Sequence, residues 1–84
     1  MLVLVTVADD DTAADLVERL GREVVAKEIR FQDDRRRLCV DLKEEPDRNL
    51  GRLLNVVEEW LGEDGRAPTN VEIDGHSYTL GARV

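Results

Sequence analysis

The sequence predicts a small α+β domain in which two helices cover one face of an antiparallel β-sheet. Short runs rich in β-branched residues alternate with segments of helical periodicity, in the order β-α-β-β-α-β-β. The first run, Leu2–Ala8, is apolar on both alternating sides, which is typical of a strand in the middle of a sheet. The chain has 84 residues, a length that accommodates one domain.

The first strand is expected to end at three aspartates, Asp9, Asp10 and Asp11, and to lead into a helix of about ten residues. Thr12 and Asp15 resemble a capping box at the start of this helix, and Gly21 stands where a left-handed C-terminal residue is common. The apolar residues recur with the spacing of one helix face: Ala13, Leu16, Val17 and Leu20.

Two further strands are predicted at Glu23–Gln32 and Arg35–Lys43, joined by a turn at Asp33 and Asp34. With a two-residue turn, opposed residues have numbers that sum to 67, so Val25 lies opposite Leu42 and Ile29 opposite Leu38. This register makes one face of the hairpin mainly apolar and the other mainly charged.

A second helix is expected after Pro46 and is predicted to end at Gly62. Its apolar stripe consists of Leu50, Leu53, Leu54, Val57 and Leu61. Gly51 lowers the stability of this helix relative to alanine, which is acceptable if close packing against the sheet leaves no room for a side chain. After a polar loop, Asp74-Gly75 predicts a tight hairpin between Val71–Ile73 and His76–Leu80.

This element order is that of the ferredoxin-like, split βαβ fold, with one additional strand at the C-terminus. Right-handed crossovers then place the strands in the order 5-4-1-3-2, with both helices on one face of the sheet. The order puts the first strand at the centre, in agreement with its two apolar sides.

Composition restricts the classes of partner. Twelve basic and nineteen acidic side chains give a net charge of −7, which argues against nucleic acid and anionic membrane surfaces. The longest apolar stretch, Met1–Ala8, is too short to span a bilayer and lacks the basic region of a signal peptide. A single cysteine, Cys39, excludes an internal disulfide. We therefore expect a cytoplasmic protein.

The sequence contains few residues that could form a catalytic or cofactor site. Two single residues, Cys39 and His76, fall on well-separated strands and cannot form a closed zinc site, so we expect no cofactor and no resident metal. The remaining candidate is a ligand loop comprising Asp9, Asp10, Asp11 and Thr12. Its carboxylates either bind a hard cation or simply favour the positive end of the helix.

The basic segment Arg35–Arg37 is open to three interpretations: protection of a sheet edge, an acidic partner, or nucleic acid. The last is disfavoured because Arg37–Lys43 contains no aromatic residue on which bases could stack.

The strand–helix order and the polar junction after the first strand resemble those of small regulatory domains of the ACT type. The resemblance implies a module that binds a small-molecule ligand near Asp9–Thr12. The glycine usual at that junction is absent, so the resemblance concerns the fold more than the function.

The preferred hypothesis is a non-enzymatic interaction domain that forms a homodimer, or binds another protein, through the sheet face opposite the helices. Because the first strand is apolar on both sides, one side remains uncovered by the helices. With Thr6 as the polar member facing outward, the predicted interface comprises Leu2, Leu4, Thr6, Val24, Ala26 and Cys39. The two alternatives are the small-molecule module and, less favoured, a small enzyme.

Overall fold

The protein folds into a five-stranded antiparallel sheet with two helices packed on one face. The computed structural model describes residues 1–8, 10–63 and 65–81. Its elements are, in order, β1 (Leu2–Thr6), α1 (Asp10–Glu23), β2 (Ala26–Gln32), β3 (Arg37–Leu42), α2 (Pro46–Glu63), β4 (Thr69–Ile73) and β5 (His76–Leu80). The strands lie in the order β2-β3-β1-β4-β5, which confirms the predicted ferredoxin-like arrangement and the central position of β1.

The core lies between the helices and one face of the sheet. Val3 and Val5 of β1 are fully buried there, in one core cluster with Leu16 of α1 and Leu53 of α2. Alternation along β1 sends the intervening side chains to the other face. The sheet therefore has a covered face and an open face, and β1 contributes apolar side chains to both.

Both helices are longer than the sequence predicts. Thr12 lies inside α1 rather than at its N-cap, so the predicted capping box is wrong, and α1 continues through Gly21 to Glu23. Likewise α2 continues through Gly62 to Glu63. A helical glycine costs about 1 kcal/mol relative to alanine. Burial of Leu20, next to Gly21, offsets that cost.

Gly51 is not explained by close packing. A Cβ at this position would meet no atom within 4 Å, and the residue is exposed. The expectation that close packing against the sheet leaves no room for a side chain at Gly51 is therefore wrong.

The β2–β3 hairpin is shifted from the predicted register. Residues 33–36 form a four-residue loop, and Arg36 there has a φ of 49°. Ile29 consequently pairs with Val40 rather than with Leu38. The numbers of paired residues sum to 69 instead of 67, which is a shift of two residues. Because side chains alternate with a period of two, each side chain from Glu28 to Gln32 keeps its predicted face.

A β-bulge between Ala26 and Glu28 reverses the faces at the beginning of β2. The extra residue shifts the alternation by one position. Val24 therefore lies in the core, Ala26 packs against it, and Val25 is exposed. The placement of Val24 and Ala26 on the open face was wrong, because periodicity of two cannot be continued across a bulge.

The predicted tight hairpin between β4 and β5 is confirmed. Asp74 and Gly75 both have positive φ, at 49° and 86°, as a type I′ turn requires. Ile73 pairs with His76 and Val71 with Tyr78. The Asp-Gly pair therefore determined this register locally.

Candidate functional site

The candidate site is the centre of the open sheet face, on β1. Leu2 is 49% exposed and Leu4 is half-buried, whereas Val3 and Val5 on the opposite side are fully buried. Thr6, the third outward side chain of β1, is exposed. β1 is a central strand, hydrogen-bonded on both sides, so neither of its neighbours covers these leucines from above.

The strand beside β1 adds Cys39 to this surface. Cys39 pairs directly with Leu4, so both side chains lie on the open face, and Cys39 is 8% exposed. We call Leu2, Leu4 and Cys39 the open-face patch. It is smaller than the predicted interface, because Val24 and Ala26 belong to the covered face.

Polar side chains surround the open-face patch in rows set by the strand registers. The row through Leu4 runs Arg30 (β2), Cys39 (β3), Leu4 (β1), Glu72 (β4) and Ser77 (β5). On one side of it lie Gln32, Arg37 and Thr6, and on the other Glu28, Asp41 and Leu2. Charges of both signs thus border the patch.

Most of these charges already have partners within the chain. Nε of Arg37 donates to Oε1 of Gln32 at 2.6 Å. The N-terminal amine of Met1 lies 3.7 Å from Asp41 and donates to the carbonyl of Leu42. Two charged side chains in the row through Leu4 form a weak ion pair or none. Arg30 is 3.9 Å from Glu28, and Glu72 has no ion pair among the described residues.

The predicted ligand loop lies at the end of β1, and only part of it can be placed. Asp9 is outside the described residues. Asp10 and Asp11 border an open cleft of about 410 Å³ together with Phe31, Asp33 and Arg36. The three carboxylates outnumber the guanidinium of Arg36, which also donates to the carbonyl of Ala8, so these carboxylates and the aromatic ring favour a cationic ligand with an apolar portion. Within the described part of the chain, no three acidic, histidine or cysteine side chains form a metal-binding group.

Thr12 lies on a different cleft from the aspartates. That cleft, of about 390 Å³, is lined on one side by Thr6, Val7 and Ala8 and on the other by residues 66–69. The structure therefore divides the predicted loop between two surfaces. It does not bring Thr12 together with Asp10 and Asp11 in one cleft.

Two arginines of the basic segment Arg35–Arg37 form hydrogen bonds within the chain. Nη1 of Arg36 donates to the carbonyl of Ala8 at 2.8 Å, and the backbone N–H of Val7 donates to the carbonyl of Arg36 at 2.9 Å. With Arg37 engaged by Gln32, Arg35–Arg37 do not form a set of three free cations. The hairpin instead anchors the end of β1.

Two further surfaces were not identified from the sequence. An apolar groove of about 310 Å³ lies between α2 and the outer hairpin and is lined by Leu54, Val71, Ile73, Tyr78, Thr79 and Leu80. Tyr78 is 54% exposed there. The alternation of Tyr78 and Leu80 along β5 was the available signal, but it did not reveal that neither α1 nor α2 covers Tyr78 at this edge.

The second surface is a cleft between the helices, of about 510 Å³, that contains Arg19, Arg22 and Arg52. A hydrogen bond to Glu63 raises the pKa of Arg19, with Asp15 adding to the effect. Glu23 and Glu59 line the same cleft and offset the charges of the other two arginines. It is consequently a mixed-charge surface without a strong preference for anions.

Cys39 and His76 are too far apart to act as a pair. They lie on β3 and β5, and β1 and β4 run between those strands. The open-face patch consequently remains the best-defined candidate on the sheet.

A scan against protein-family models finds no match to this chain, and neither curated proteins nor solved structures match it significantly. No described helix combines the length and apolarity needed to cross a membrane.

Proposed function

We propose that this protein is a cytoplasmic, non-enzymatic interaction domain that forms a homodimer through the open face of its sheet. The observation that carries the proposal is the apolar outward side of the central strand, on which Leu2 is exposed and Leu4 is half-buried. Apolar side chains that reach solvent at the centre of a sheet face, bordered by polar residues, are typical of an interaction surface.

The chemistry of the border supports a second copy of the chain as the partner. A strongly acidic or basic partner would be complementary to a border of a single charge. Here Arg30 and Arg37 face the same side as Glu28, Asp41 and Glu72. A surface with both signs can be complementary to itself, as a two-fold interface requires.

The size of the open-face patch indicates a modest affinity. It contains two leucines and one largely covered cysteine, whereas stable interfaces bury about 800 Å² per partner. The surrounding polar residues must contribute much of the contact. We expect a dissociation constant in the micromolar range and exchange between monomer and dimer.

The test is light scattering and sedimentation over a concentration series, on the full chain and on Leu4→Glu. The wild type is expected to move from monomer to dimer, and Leu4→Glu is expected to remain a monomer, because a buried unpaired carboxylate is costly. Tyr78→Glu is the matched control, since it places the same charge on the other exposed apolar surface.

A wild type that is monomeric at high micromolar concentration would refute the proposal. Loss of the dimer in Tyr78→Glu but not in Leu4→Glu would also refute it, and would move the interface to the groove between α2 and β5.

A second candidate function is a small-molecule module, favoured by the cleft that contains Asp10, Asp11 and Phe31. Its charge favours a cationic ligand, such as an amine with an apolar portion. Thermal-shift measurements with a panel of cationic amino acids and polyamines test this function, because a ligand that binds the native state raises the melting temperature. Asp11→Asn should abolish any such shift.

A further inference from the structure

Two charges of the open face with a long ion pair or none among the described residues, Arg30 and Glu72, lie on opposite sides of the patch, in one row. Arg30 on β2 is next to Cys39, and Glu72 on β4 is next to Leu4. Since Cys39 and Leu4 are themselves direct neighbours, the row reads Arg30–Cys39–Leu4–Glu72. Its midpoint falls between Cys39 and Leu4, that is, between β3 and β1.

We propose that a second copy docks on this face about a two-fold axis that runs along the strands, between β1 and β3. This inference rests on the proposed homodimer and specifies its geometry. Rotation about that axis reverses the order of the row, so Arg30 of each copy meets Glu72 of the other. The same rotation places Leu4 of each copy over Cys39 of the other.

The charges distinguish this axis from its main competitor. A two-fold axis running across the strands, along the same row, would place Arg30 over Arg30 and Glu72 over Glu72. Like charges brought together at an interface are costly. That axis would also place Arg37 of each copy over Asp41 of the other, but Gln32 and the N-terminal amine of Met1 already engage these two side chains within the chain. An axis along the strands avoids the like-charge contacts and pairs Arg30 with Glu72 twice, once on each side of the patch.

The distances agree with ordinary sheet packing. Arg30 and Glu72 are each one and a half strand spacings from the axis, or about 7 Å. Sheets that pack face to face lie about 10 Å apart, with strands inclined by about 30°. Extended arginine and glutamate side chains bridge such a gap, and the inclination displaces the pair by only a few ångströms.

The environment of each side chain also permits the contact. Arg30 is 62% exposed and its ion pair with Glu28 is long, at 3.9 Å. Glu72 is half-buried and has no ion pair among the described residues. Cys39 has a small side chain, so the facing leucine can approach the sheet closely at that position.

The test is a charge-reversal cycle on the full chain: Arg30→Glu, Glu72→Arg and the double variant, with dissociation constants from sedimentation. Each single reversal creates two like-charge contacts per dimer and is expected to weaken dimerisation at least about tenfold. The double variant restores both pairs with their signs exchanged, and its dissociation constant should return to within about threefold of the wild type.

Arg52→Glu and Glu59→Arg on α2 are the matched controls. Both residues are exposed on the helix side, and they make the same changes in net charge. They should leave the dissociation constant within about twofold of the wild type.

A double variant as weak as the product of its two single variants would overturn this geometry, as would single reversals without effect. In both cases a dimeric wild type that is disrupted by Leu4→Glu would preserve the proposed function. A monomeric wild type would overturn the proposed function itself and this geometry with it.

Discussion

The backbone N–H of Val25 donates a hydrogen bond of 3.1 Å to Oδ1 of Asn49, the buried polar side chain of α2. Nδ2 of Asn49 donates in turn to the carbonyl of Glu44, at 2.5 Å. One amide group thus connects the entry to β2, the loop before α2 and the helix itself. It holds the segment immediately before the bulge at Ala26 and Glu28, where the faces of β2 are exchanged.

We predict that Asn49→Ala lowers the free energy of unfolding by about 1–3 kcal/mol. The substitution leaves the N–H of Val25 and the carbonyl of Glu44 without their partner in a part-buried site. Urea denaturation followed by circular dichroism measures the change. Arg52→Ala on the exposed side of α2 is the control and should change stability by less than about 0.5 kcal/mol.

Asn49→Asp separates the two roles of the amide. An aspartate can still accept from Val25, but its ionised form cannot donate to Glu44 and repels that carbonyl. We expect a loss comparable to that of Asn49→Ala at neutral pH. A stability equal to the wild type would show that the bond to Glu44 contributes nothing.

Gly51→Ala is expected to stabilise the protein by about 0.5–1 kcal/mol. A Cβ at this position meets open space, and alanine restricts the unfolded chain and favours the helix. Thermal and urea unfolding should both show the increase. Gly75→Ala should have the opposite effect, because the φ of 86° strains any residue with a Cβ.

The two sides of β1 should differ sharply in their tolerance of charge. Val5→Glu places a carboxylate in the fully buried core and is expected to prevent folding. Leu4→Glu, one position earlier, places it on the open face and should leave the monomer folded. Far-ultraviolet circular dichroism and amide spectra distinguish the outcomes. An unfolded Leu4→Glu variant would show that Leu4 belongs to the core of the monomer.

The guanidinium of Arg66 lies over the ring of Trp60, 4.6 Å from its centroid. Trp60 is the only tryptophan, so its fluorescence reports on this contact. Arg66→Ala should destabilise the protein by about 0.5–2 kcal/mol and change the emission spectrum. Arg66→Lys keeps the charge and should lose less stability. Equal losses in the two variants would indicate that the planar guanidinium, rather than the charge, stabilises the contact.

The sequence alone predicted the features that depend on local chemistry or on simple alternation. The Asp74-Gly75 pair determined the β4–β5 register because few residues other than glycine adopt the left-handed conformation without strain. The element order and handed crossovers were sufficient for the sheet order. The apolar character of both sides of Leu2–Ala8 correctly indicated a central strand, and Thr6 correctly indicated its outward side.

The tertiary structure decided the features that depend on contacts between distant residues. The sequence of residues 23–32 does not predict a β-bulge. The bulge accompanies the hydrogen bond between Val25 and Asn49, which are 24 positions apart. That bulge moved Val24 and Ala26 from the predicted interface into the core. The row from Arg30 to Glu72 likewise joins four strands whose mutual registers are set by core packing and turn lengths together. Periodicity determines which side a residue takes within one strand, whereas only the assembled sheet determines which residues become neighbours.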